Sequence, residues 1–277
     1  MSDLNAVKMG RKMQFNKIEI RVYGLQRSGN HAIINWIAAQ STGACLVLND
    51  CTPGANPFDT MQGYCEYSDG NVVSLHDTWD DEARHLASLS APSERNVFIH
   101  SYEDRALWNL PSPESWIGGS NSHFNVLIVR DPLNFFASRL RIWNELSGLK
   151  DRRVVVELWK DYAREALGLT ACLDPAHTVV INFTRWKADV EYRKTLSARF
   201  GLTFSDQGME SMVRIGPGSS FDEFSLSSQA SKMMVNERWR SVMQDTDFRS
   251  IVSDAELREL SLRLFGPQDG WTEILQS

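Results

Sequence analysis

The sequence predicts an α/β fold: a three-layer sandwich in which helices cover both faces of a central, mostly parallel sheet. Three observations carry that reading. In the first, Ile18, Ile20 and Val22 alternate with Glu19 and Arg21 as a short strand that meets Gly24. A polar turn closes at Gly29, and the apolar helical stretch Ala32 to Ala39 follows at once. In the second, Asn125 to Arg139 repeats the order: an apolar strand runs into a helix, with Asp131 suited to the N-cap and Pro132 to the first helical position. The third is the unbroken apolar character of Val126 to Val129, Asn96 to Ile99 and Thr178 to Ile181, which suits parallel strands buried on both faces.

Taken in order, residues 1–16 read as a flexible lead and 17–277 as one α/β domain. Ala44 to Leu48 is a candidate strand. The stretch from Asn49 to Asn71 is rich in Pro, Gly, Asn and Asp and is expected to be a long irregular loop. Asp151 to Leu167 and Asp189 to Phe200 have helical periodicity, and Gly201 fits a C-cap. Gly216 to Ser231, rich in Gly and Ser, reads as a mobile stretch. Asp245 to Phe265 reads as one or two amphipathic helices, stopped by Gly266 and Pro267. Four strands deliver polar residues at their C-terminal ends: Arg27-Ser28, Ser101 to Asp104, Arg130-Asp131, and Asn182 to Arg185. Open α/β sheets bind ligands at that edge, so these groups are expected to share one cleft.

Composition narrows the partners. The 277 residues are 42% hydrophobic and 23% charged, with a net charge of −6. An acidic chain is a poor match for the phosphate backbone of nucleic acids, although a local basic pocket for one nucleotide remains compatible with it. Cys45, Cys51, Cys65 and Cys172 show no C-x-x-C spacing and read as reduced thiols. His85, His100, His123 and His177 have no ligand spacing, so no metal site is expected. The N-terminal stretch lacks an apolar signal core and no apolar run is long enough to span a bilayer, from which a cytoplasmic protein is expected. Oligomeric state is not legible.

The glycine turn sets the chemistry. Gly24 and Gly29 have the spacing of a Walker loop, whose backbone N–H groups converge on an anion at a helix N-terminus. Asn30 and His31, however, stand where an NTPase needs Lys and Ser/Thr. Without them the β/γ-phosphate contact and a Mg²⁺ ligand are missing. The loop suits a phosphate-like anion but not Mg-ATP hydrolysis.

The pair of motifs, Arg27-Ser28-Gly29 after one strand and Arg130-Asp131-Pro132 with Ser138-Arg139 after a later one, resembles the P-loop sulfotransferases that use 3′-phosphoadenosine 5′-phosphosulfate (PAPS). The resemblance spans about residues 18 to 265. It implies a sulfotransferase-like fold and transfer of a sulfuryl group from PAPS to a hydroxyl or amine of a small-molecule or glycan acceptor, releasing 3′,5′-bisphosphoadenosine (PAP), with no metal. It implies that Arg27, Ser28, Gly29, Asn30 and His31 grip the 5′-phosphosulfate, and that Arg130 and Ser138 grip the 3′-phosphate. Arg238 and Arg240, flanking Trp239, are similar to a late segment that closes over the 3′-phosphate and adenine, and Phe183 falls near the adenine position. Arg27 stands where many relatives have Lys and Asn30 where they have Thr.

Glu103 is the first candidate for the catalytic base and His100 the second, with His76 and Asp77 as outside candidates. The Asn49–Asn71 segment and Trp79, Trp108 and Trp116 are expected to line the acceptor pocket. Two alternatives stand beside this reading. One is a nucleotide or metabolite kinase with a degenerate P-loop; the other is a non-catalytic nucleotide-binding module.

Overall fold

The fold is that of a computed structural model describing residues 15–76, 94–110, 119–145, 151–209 and 236–276. Its strands are β1 (Phe15–Gly24), β2 (Ala44–Asn49), β3 (Gly63–Ser68), β4 (Asn71–His76), β5 (Arg95–Glu103), β6 (Gly119–Val129) and β7 (Thr178–Asn182). They form one sheet in the order β4-β3-β2-β5-β1-β6-β7. From β2 to β7 the pairing is parallel, as the unbroken apolar runs require. The hairpin of β3 and β4 adds an antiparallel edge.

The described helices are α1 (Asn30–Ala38), α2 (Pro57–Thr60), α3 (Pro132–Glu145), α4 (Arg152–Ala166), α5 (Phe183–Ala188), α6 (Val190–Phe200), α7 (Thr246–Val252), α8 (Ala255–Phe265) and α9 (Asp269–Gln276). The alternation of strand side chains divides the apolar residues into two cores. Ile20, Val22, Val47, Ile99, Val126 and Ile128 pack with α1, α5 and α6. Tyr23, Leu48, Phe98, Leu127 and Val129 pack on the other face with α3, α4, α7 and α8. Two cores around one sheet make the three layers.

Register places the candidate residues. Gly24 is level with Glu103 on one neighbour and with Ile128 on the other. Arg27, Glu103 and Arg130 therefore leave the sheet at the same edge. His100 lies opposite Arg21, three residues back from Gly24 and inside the sheet.

Several elements differ from expectation. The Asn49–Asn71 segment is not one irregular loop, because it holds α2 and β3. Tyr64, Cys65 and Tyr67 are buried there, and the Tyr67 hydroxyl donates to Asn35 Oδ1 at 3.0 Å. Pairing with β2 and burial of these rings outweigh the local turn composition. β1 begins at Phe15, inside the stretch read as a lead, and residues 1–14 lie outside the described residues. β5 runs on through Glu103, further than the apolar run alone suggests. Asp245 to Phe265 divides into α7 and α8, where Asp254 caps α8 through Leu257 N. Gly216 to Ser231, Asp77, Trp79, His85 and Trp116 lie outside the described residues.

Candidate active site

The loop between β1 and α1 is held in an unusual backbone shape. Gly29 has φ 94°, in the left-handed region, and a Cβ there would fall 2.2 Å from Phe183 Cε2. Gly24 is needed for a different reason: the Asn30 side chain lies over it, with Oδ1 2.0 Å from where a Cβ would be. Arg27 also has positive φ, 81°, without being glycine. Such strain persists only where the surroundings hold it. Here the Arg27 carbonyl accepts from Arg130 Nη1 at 2.8 Å, and Asp104 takes the Gln26 N–H at 2.9 Å. Arg139, fully buried, ties both sides through Gln26 Oε1 at 2.7 Å and Asp104. No side chain caps α1, so its first-turn N–H groups remain available to a ligand.

The second motif closes on the first. Asp131 caps α3 by accepting from Asn134 N at 2.9 Å, and Thr184 donates to its other oxygen at 3.3 Å. Arg130 leaves β6 buried, with its guanidinium 5.1 Å from the Phe183 ring centroid. Ser138, two turns into α3, is fully buried and accepts from Arg238 Nη1 at 3.1 Å. Arg238 arrives from a short 3-10 turn, Arg238–Ser241. The result is a concentration of guanidinium groups at the loop of an acidic protein. Burial, then the charges of Arg238 and Arg139, pull the Arg27 guanidinium down to about 10. Like charges gathered this way are stabilised by an anion.

On the other side of the loop stands Glu103. Its Oε1 accepts from Asn30 Nδ2 at 2.8 Å and lies 3.9 Å from His31 Nε2. Burial pushes its carboxyl up, opposed by the His31 charge and the Asn30 bond. The Glu103 N–H donates to Asp50 Oδ1 at 3.2 Å, and Asp50 is paired with Arg105. Asn30 therefore joins the loop to Glu103, a use its amide serves and a Thr hydroxyl at that position is too short to copy.

Arg27, Ser28, Gly29, Asn30, His31, Glu103, Arg130, Ser138 and Arg238 are thus brought to one region. His100 and Arg240 are not. His100 Nε2 faces Glu19 Oε1 at 3.2 Å and its Nδ1 is 2.8 Å from the Tyr102 hydroxyl, so both ring nitrogens are engaged inside the sheet. Arg240 is half exposed, stacks over Trp239 and pairs with Glu273 at 2.7 Å. His76 is on the edge strand β4, stacked on Tyr64, and Trp108 is exposed. The sequence reading passed over the Arg139–Asp104–Gln26 tie and the contact of His31 with Asn49. A signal for the first was present, since Arg139 and Asp104 directly follow Ser138 and Glu103.

Among the described residues no group of three or more His, Cys, Asp or Glu could hold a metal ion. No described helix is long and apolar enough to cross a membrane.

No family model matches the sequence, and no curated protein matches it by sequence. Solved structures do match. The sulfotransferase domain of the Synechococcus PCC 7002 olefin synthase overlays with a TM-score of 0.51 at 13% identity, covering 92% of this chain and 96% of that one. Mouse sulfotransferase SULT7A1 complexed with PAP gives 0.48 at 13% identity, over 100% and 95% of the two chains. The sulfotransferase domain from the curacin biosynthetic pathway gives 0.46 at 11% identity, over 88% and 96%. The chain has a sulfotransferase-like P-loop fold, with the mostly parallel sheet and the helices on both faces that the sequence led us to expect.

Proposed function

We propose that residues 17–277 form a PAPS-dependent sulfotransferase that sulfates a hydroxyl or amine of a small-molecule or glycan acceptor. One observation carries the reading: Arg130 donates to the Arg27 carbonyl of the loop, and Arg238, whose charge is felt at Arg27, donates to the buried Ser138 hydroxyl of α3. An ATP site has no use for that second cationic pocket, and Asn30 and His31 deny the loop its Lys and Mg²⁺ ligand. The residues present fit a nucleotide with phosphate at both ends. The positive-φ glycine, the uncapped α1 and the crowded guanidinium groups are each suited to an anion.

When bound, PAPS supplies a sulfuryl group on a mixed anhydride with phosphate. Arg27 stays protonated at neutral pH even with its lowered value, so it donates a hydrogen bond to the departing phosphate oxygen but does not hand over its proton. Arg130, Ser138 and Arg238 would hold the 3′-phosphate. The acceptor's proton would leave on the side of the loop where Glu103 stands beside Asn30 and His31.

The test is incubation of the purified chain with labelled PAPS and a panel of phenols, alcohols, amines and glycans. Acceptor-dependent release of PAP is expected. Turnover of ATP with Mg²⁺ in its place would favour a kinase, and tight PAP binding with no turnover would favour a binding module.

A further inference from the structure

Position 31 is where a Walker loop presents its Ser/Thr hydroxyl to the metal bridging two phosphates, so a side chain there faces the group being transferred. In this chain that side chain is an imidazole. Its Nε2 lies 3.1 Å from Asn49 Oδ1 and 3.9 Å from Glu103 Oε1. The Asn49 oxygen also accepts from the Ser101 hydroxyl at 3.1 Å, and that hydroxyl is fixed because its own oxygen takes the Asp50 N–H at 2.9 Å. A carbonyl oxygen and a carboxylate both face Nε2, so the neutral ring carries its proton there. The lone pair is then on Nδ1, which makes no hydrogen bond to a described residue. Of the two side chains, His31 is the more open, 28% exposed against 12% for Glu103.

Resting on the sulfotransferase reading, we propose that His31 Nδ1 is the general base that takes the acceptor's proton, and that Glu103 and Asn49 hold its ring and its charge. The step balances. A bond forms between the acceptor oxygen or nitrogen and sulfur, and the bond from sulfur to the bridging phosphate oxygen breaks. The proton passes to Nδ1 and then to water, and the leaving phosphate oxygen keeps the electron pair beside Arg27. Glu103 thereby acts with His31, as an orienting carboxylate acts in a Ser-His-Asp triad. The charged group beside the ring is Glu103, which in turn feels Asp50 and Asp104, with Asp50 paired to Arg105.

The experiment has two arms on the full chain. The first needs no turnover: nitrogen-15 spectra of the His31 ring across pH, in the native protein and in Glu103→Gln. The proposal expects the Nε2-protonated tautomer in the native protein, with that preference weakened when the carboxylate is lost. A ring protonated on Nδ1, or a tautomer preference indifferent to Glu103→Gln, would overturn it. The second arm compares His31→Gln with the native enzyme under labelled PAPS. It expects kcat to fall about 10²- to 10⁴-fold with the thermal shift by PAP retained. A raised KM for PAPS with unchanged kcat would make His31 a phosphosulfate ligand only and overturn the proposal. Loss of PAP binding by the native chain would instead count against the sulfotransferase reading, because the tautomer is readable without nucleotide.

Discussion

Two polar clusters share the strands β1 and β5, only a few residues apart, and they are built on opposite rules. The inner one is balanced. Glu19 Oε1 receives Arg21 Nε at 2.7 Å and faces His100 at 3.2 Å, while Oε2 accepts from Ser120 at 2.8 Å. Burial alone would push the Glu19 carboxyl up, but His100, Arg21 and Ser120 outweigh it and hold it at about 2. Burial keeps His100 below its usual value, against the opposite pull of Glu19. The outer cluster sets the charges of Arg27, Arg238 and Arg139 near one another at the loop, with Arg130 on the Arg27 carbonyl and Asp104 paired to Arg139. A buried cluster whose charges balance is part of the fold; a cluster rich in one sign is a candidate ligand site. On that contrast His100 sits in the scaffold, and we propose the arginines as ligand groups.

The largest effect that sharpens this contrast is catalytic. Arg27→Ala should cost about 3 to 4 kcal/mol of barrier, the usual loss for a preorganised donor, while the unliganded protein keeps its melting temperature. Arg27→Lys should restore much of the rate, because a point charge suffices for one leaving oxygen. Single-turnover rates in saturating PAPS, beside thermal melts, decide it. Lower stability with unchanged turnover would move Arg27 into the scaffold class.

The balanced cluster predicts a pH effect on stability instead. The folded Glu19 carboxyl is held below its usual 4.5, at about 2, so its contribution is complete above pH about 4.5 and is lost as pH falls toward 2. The full span is worth roughly 3 kcal/mol. Urea melts across that window should show a shallower pH slope for Glu19→Gln than for the native chain. An identical slope would mean that Glu19 is not the group titrating.

Smaller effects probe the loop. Gly29→Ala must adopt φ 94° and meet the Phe183 ring, so a stability loss above about 1 kcal/mol is expected by denaturant melts, together with weaker PAP binding. Ser138→Ala removes one buried hydroxyl partner of Arg238, and about 1 kcal/mol, a several-fold weaker PAP affinity by calorimetry, is expected.

The sequence made part of this plain. Gly24 to Gly29 with the apolar helix behind it, and Asp131-Pro132 opening α3, are local signals, and local signals fix strand–turn–helix units. The convergence of Arg130 and Ser138 was readable because each follows a strand end at fixed spacing. What was hidden depends on contacts distant in sequence. The β3 strand exists because Tyr64 and Tyr67 are buried against the sheet, a fact no turn-rich composition reveals. The role of His100 turned on Glu19, 81 residues away, and that of Arg240 on Glu273, 33 away. His31 was read as a phosphosulfate contact and a departure from the Walker pattern but not as a base, since Asn49 and Glu103 come beside it through strand order alone.

The most direct test of the contrast is thermal stability of the full chain with PAP, with AMP and with Mg-ATP at matched concentrations. A ligand bound only by the folded state stabilises it by mass action, about 2.7 kcal/mol at a hundredfold excess over Kd. If the arginines around Ser138 await a second phosphate, PAP raises the melting temperature well beyond AMP or Mg-ATP, and Arg130→Ala abolishes the difference. Equal shifts from all three nucleotides, or none from PAP, would contradict the assignment of the outer cluster as a ligand site for a nucleotide with phosphate at both ends.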